Sequence, residues 1–317
     1  MSWEQVAVLK LSLWEWWQTQ QGANYAEGFY RSLVLSHSVY ERGKPNPLYS
    51  NLDVVEPMNL HQAEPIYVSP EIMDIAETAA ETFQPEPFLP SDLITNRGFL
   101  LLPRSMTYHD SQGKRVSFKA CCWMPGSPGS GMPENGIWLS FYSYKPDVIK
   151  LEEEYGADLS EARFPEWMFL GATPWLFNQG VEEMIERLLV DNDEQYGWES
   201  TMEWWRFMQT LFRLSLQQLA ERKQHTNSRP TRRRYQRAKM DRDYTTVITL
   251  RRKKGHYEPK NGEPVNWSHR WIVGGHWRNQ WFPSLKTHRQ IWINEYVKGP
   301  EHKPLVVRKG RAFNFVR

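Results

Sequence analysis

The chain has 317 residues, 40% hydrophobic and 24% charged, which is globular in balance and long enough for one large core or two smaller ones. Its 39 Lys+Arg and 37 Asp+Glu nearly cancel, yet residues 1–220 carry 15 basic against 30 acidic side chains and residues 221–317 carry 24 against 7. The two cysteines, Cys121 and Cys122, are adjacent, which excludes a disulfide framework and a cysteine-rich zinc site and fits a reducing compartment with two buried thiols.

Helices are expected over residues 3–20 and 23–42, from Val6, Leu9, Leu13, Trp16 and Trp17 at three- and four-residue spacing, punctuated by Gly22. The apolar stretch Val6–Trp17 is broken by Lys10, Ser12 and Glu15 and is too short to span a membrane. It also lacks the basic start and small-residue cleavage site of a signal peptide, so a cytoplasmic protein without membrane contact is expected. Residues 43–70, with repeated Pro and Asn, read as an irregular connection. Ser69 and Pro70 form a helix start, since serine caps and proline suits the first turn, and the predicted helix runs to about Phe83.

Residues 97–143 read as a β-meander of three β-prone runs, Gly98–Pro103, Val116–Trp123 and Gly136–Tyr142. Arg163–Phe177 has no clear period, and a helix is expected near Gln179–Val190. The clearest helix follows, opened by the capping-box pair Ser200 and Glu203. Trp204, Trp205, Met208, Leu211, Phe212, Leu216 and Leu219 mark its apolar face, and it is expected to end near Lys223. The polar stretch at 224–231 reads as a linker. It sets a compositional boundary between an acidic body, 1–225, and a basic module, 226–317. The expected fold is α+β, a mixed helical body with a β-meander followed by a small twisted sheet or barrel-like module. Within the module, Arg232–Arg242 is a run of like charge, and strands are expected at 244–254, 265–282, 289–293, 304–307 and 312–316.

The densest constellation is Trp267, His269, Arg270, Trp271, His276, Trp277, Arg278 and Trp281, with His288, Arg289 and Trp292 close behind. On extended backbone His276 and Arg278 share one face, opposite Trp277. Arginine forks pair with phosphate oxygens, and aromatic planes stack on exposed bases. The pattern therefore points to nucleic acid, with RNA or single-stranded DNA preferred over a duplex groove. The residues implied are Arg232, Arg233, Arg234, Arg270, His276, Trp277, Arg278, Trp281, His288 and Arg289.

Other readings use the same residues. The tryptophans would form the core of an undersized sheet, with the arginines as its solvated rim. A metal-independent nuclease would take His276 and His288 as general acid and base, with Arg278 and Arg289 stabilising the phosphoryl charge. The basic module would equally suit an acidic protein partner, or the acidic body of the same chain. No Walker loop, dinucleotide-binding glycine turn or nucleophile elbow occurs, so no cofactor is expected. His269, His276 and His288 lack any ligand spacing of a helical zinc site, and Asp191–Gln195 lacks the central glycine and closing glutamate of a calcium loop, so no metal is expected either.

The segment Trp267–Val307 resembles the C-terminal part of proteins from actinobacteria and their phages, and Gly98–Tyr142 is similar to an upstream part of the same proteins. That group has no assigned activity. The resemblance implies a bacterial or mobile-element setting and assigns no catalytic residue.

Overall fold

The meander expected over 97–143 forms, and it is the middle of a larger sheet. The computed structural model describes residues 2–35, 40–41, 44–45, 51–84, 86–109, 115–126, 135–154, 166–179, 197–250 and 270–306. The architecture is α+β, in two units, Met1–Arg251 and Arg252–Arg317. The unit boundary thus falls after Arg251, where the composition had suggested residue 225. With this division the first unit carries 25 basic against 33 acidic residues and the second 14 against 4, so the charge contrast survives.

In the first unit the elements run α1 (Glu4–Trp17), α2 (Gln20–Leu35), β1 (Tyr40–Glu41), β2 (Lys44–Pro45), α3 (Leu52–Gln62), β3 (Glu64–Val68) and α4 (Pro70–Thr82). There follow β4 (Gly98–His109), β5 (Arg115–Pro125), β6 (Gly136–Tyr144), α5 (Lys145–Glu154), β7 (Trp167–Leu176), α6 (Gly197–Leu216), β8 (Ala220–Thr226), α7 (Arg229–Arg237) and β9 (Tyr244–Leu250). The main sheet has the order β7-β6-β5-β4-β3-β9-β8. Strand β3 is parallel to both its neighbours, and the remaining pairs are antiparallel.

Helices cover both faces, which is why β5 and β6 are almost continuously buried and do not alternate apolar with polar. On one face Val6, Leu9, Leu13 and Trp17 of α1 and Leu52, Val55 and Leu60 of α3 pack on Phe99, Leu101, Cys122, Trp138 and Tyr142. On the other, Trp205 and Phe212 of α6 lie against Trp175, and Phe212 against Trp123. Cys121 and Cys122 sit in successive positions of β5, so they point to opposite faces, and both are buried and unbridged.

The apolar core on the α1 and α3 side encloses two ionisable groups. Glu56 is wholly buried and accepts hydrogen bonds from Trp138 Nε1 at 3.2 Å, Ser140 Oγ at 2.5 Å and Tyr142 Oη at 2.5 Å. Burial holds its carboxyl above the ordinary range, against the pull of those donors. Lys10 Nζ donates to the carbonyl of Ala63 at 2.7 Å and lies 5.0 Å from the centre of the Tyr235 ring. Burial pushes its ammonium down to about 7.

Several expectations are corrected. The stretch 43–70 contains α3 and β3, which Pro57 and Pro65 had disguised. The long helix ends at Leu216, and Ala220–Thr226 is an edge strand whose exposed polar residues hide strand periodicity while blunting edge-to-edge pairing. The stretch read as a linker is the end of β8 and the start of α7. The helix expected at 179–190 and the strand expected at 312–316 lie outside the described residues.

In the second unit β10 (Arg270–Val273), β13 (Tyr296–Lys298) and β14 (Leu305–Val306) form one sheet in the order β13-β10-β14, while β11 (His276–Phe282) and β12 (Thr287–Ile293) form a hairpin. Among the described residues these strands form open sheets and not the barrel-like closure considered from the sequence. Also among the described residues, no helix is long and apolar enough to cross a membrane.

Candidate nucleic-acid interface

The arginine run is helical because its ends are well specified. Ser228 caps α7, its Oγ accepting from the backbone of Thr231, and Pro230 occupies the first turn. At the other end Met240 N–H returns to the Tyr235 carbonyl and Lys239 N–H to Gln236, with Lys239 left-handed at φ 53°, a Schellman motif. Tyr235 anchors the helix. It is fully buried, donates to the carbonyl of Ala7 at 3.0 Å and packs with Leu11 and Met240.

That anchor decides where each arginine points. Arg229, Arg233 and Arg237 are exposed at four-residue intervals, a cationic stripe with about 6 Å between successive positions. Of the candidates Arg232, Arg233 and Arg234, Arg233 alone belongs to it. Arg234 pairs with Glu15 of α1 at 2.7 Å, and Arg232 is half-buried with its Nε shielded and without a hydrogen-bond partner. Arg229 was missed because residues 224–231 looked like a linker, and Arg237 lay within the run of like charge at Arg232–Arg242 without being singled out. The pair Ser228 and Pro230 is the signal that would have found them, of the same kind as Ser69 and Pro70.

In the second unit the hairpin register opposes Trp277 to Trp292, Asn279 to Gln290 and Trp281 to His288, so these six side chains share one face. Trp277 and Trp292 meet edge to face at 5.4 Å, and Trp281 lies 5.0 Å from the His288 ring. Trp292 is 8% exposed, whereas Trp281 is 45% exposed. Gly275 is required beneath Trp292, because a Cβ there would stand 2.5 Å from the indole.

His276, Arg278 and Arg289 occupy the opposite face of the hairpin, as does Gln280, which accepts from Arg278 at 2.6 Å. His276 contacts the carbonyl of Gly274 at 3.0 Å. Arg270, on the neighbouring sheet, is half-buried and its Nε donates to the Lys303 carbonyl at 2.8 Å. His276 and His288 are five ladder positions apart on opposite faces, roughly 17 Å along the strand. The hairpin therefore does not bring them together as a general acid and base. His269 lies outside the described residues, and among the described residues no cluster of His, Cys, Asp and Glu could hold a metal ion. No protein-family model and no curated protein matches the chain.

Proposed function

We propose that this is a cytoplasmic nucleic-acid-binding protein of bacterial or phage origin that takes single-stranded RNA or DNA. The observation that carries the reading is the exposed Trp281 beside His288 on the hairpin face. A role in the core accounts for Trp292 and for Trp277 packed against it, but it does not account for an indole left nearly half exposed on a small sheet. Trp281 and His288 offer planes on which successive bases stack, while Asn279 and Gln290, between the two aromatic pairs, offer amide donors and acceptors. The stripe of Arg229, Arg233 and Arg237 on the first unit supplies charge for phosphates. The positive excess of the second unit has the sign an anionic partner requires.

The experiment is fluorescence anisotropy of labelled single-stranded RNA, single-stranded DNA and duplex DNA titrated with the full chain. Salt-sensitive binding to the single strands, weakened about 5- to 150-fold by Trp281→Ala through loss of one stacked base, is expected. Absence of binding to all three ligands would overturn the reading and turn the search to an acidic protein partner.

A further inference from the structure

The hairpin face that carries Trp281 holds its side chains in a fixed order. At one end Trp277 and Trp292 close on each other, and at the other Trp281 and His288 stand directly opposite and are both exposed. Between them lie Asn279 and Gln290, about 7 Å from each aromatic pair, since side chains on one face of a strand recur every second residue. Asn279 is exposed and Gln290 is half-buried. A planar ring laid on the flank of Trp281 that faces Asn279 has its edge at the Asn279 amide.

Charge is sorted between the two faces of the hairpin. The six residues just named include no arginine, lysine or carboxylate, while Arg278 and Arg289 lie on the opposite face. That sorting matters for base recognition. An arginine or lysine suits the paired acceptors of guanine, and a carboxylate suits the amino group of cytosine. An asparagine or glutamine amide, one acceptor beside one donor, suits adenine. Adenine also meets an amide whichever way it stacks. Its N6 amino donor is flanked by the acceptor N7 on the Hoogsteen edge and by the acceptor N1 on the Watson–Crick edge. Of these two edges, guanine, cytosine and uracil set a donor beside an acceptor on the Watson–Crick edge alone. A purine's two rings also make more contact with the indole than a single pyrimidine ring does.

We infer that the hairpin reads adenine. Trp281 supplies the stacking plane, and Asn279 supplies an acceptor for the N6 amino group and a donor for the ring nitrogen beside it. The amide pair adjoins one open aromatic pair, so one adenine is read per hairpin. The inference rests on the reading of this face as a single-strand binding surface and adds to it the base that the face selects.

The test is anisotropy of short labelled single strands of equal length titrated with the full chain, one all-uridine and three others with a single central adenine, guanine or cytosine in the same uridine background. The adenine strand should bind about 5- to 150-fold tighter than the other three, the discrimination of one bidentate amide contact. Asn279→Ala should abolish that preference, with most of the loss falling on the adenine strand. Asn279 is exposed, and circular dichroism of the variant checks that the fold is kept. Equal affinity for all four strands, or a preference for adenine that survives Asn279→Ala, would overturn the inference while leaving the hairpin a binder of single strands. Binding to none of them would overturn both.

Discussion

The arginine stripe makes a prediction whose size follows from its geometry. Changing Arg229, Arg233 and Arg237 together to Gln removes three exposed charges while keeping good helix formers, and Tyr235 still anchors α7 to the body. If each arginine neutralises one phosphate of a single strand, the slope of log K against log salt loses about 0.7 per arginine, or about 2 in all. Raising salt from about 50 to about 200 mM should then weaken the wild type about 20-fold more than the variant. Arg234→Gln is the matched control, because Arg234 is already paired with Glu15, and it should leave the slope nearly unchanged. The assay is anisotropy of a labelled oligonucleotide across a salt series, with circular dichroism to confirm the helix. An unchanged slope in the triple variant would refute the reasoning, whatever happens to the affinity.

Gly275→Ala places a methyl group against the Trp292 indole and should destabilise the hairpin by about 1–3 kcal/mol, seen as faster amide exchange over residues 276–293 with the first unit unaffected. Glu56→Ala leaves the donors of Trp138, Ser140 and Tyr142 unpaired in the core at about 1–3 kcal/mol each, whereas Glu56→Gln keeps an acceptor and should cost much less in urea denaturation. Because burial raises the Glu56 carboxyl, its contribution is fully present below the ordinary carboxylate range and is lost as pH rises through the raised pKa, so Glu56→Gln should also remove that part of the pH dependence. Lys10 has the opposite sense. Its folded pKa is pushed down to about 7, so its contribution is present above the ordinary lysine range and is lost as pH falls toward 7. Between pH ~7 and ~8.5, below the usual thiol range, the wild type should therefore gain stability relative to Lys10→Met as pH rises, by up to about 1.4 kcal/mol per pH unit.

The parts of the fold written in local pattern were legible. Helices α1, α4 and α6 announce themselves through apolar spacing or a Ser–Pro start, and the meander through β-prone runs between turns. What stayed hidden depends on partners distant in sequence. Strand β3 holds a proline and is short, yet it lies between two parallel neighbours in the interior of the sheet. Strand β8 reads as a charged helix end because one edge-facing, solvated strand needs no apolar alternation.

The candidate site shows the same limit at the level of side chains. The sequence pointed to the hairpin tryptophans and to the arginine run. Which tryptophan is exposed depends on cross-strand pairing with Trp292 and His288, and which arginine is exposed depends on the burial of Tyr235. Neither relation appears in composition.

The most direct test of the account is ultraviolet crosslinking of a bound single-stranded oligonucleotide to the full chain, with the modified peptide mapped by mass spectrometry. Crosslinks are expected on residues 276–293, concentrated at Trp281 and His288 and lost in Trp281→Ala. Crosslinks confined to the first unit, with the hairpin unmodified, would contradict it.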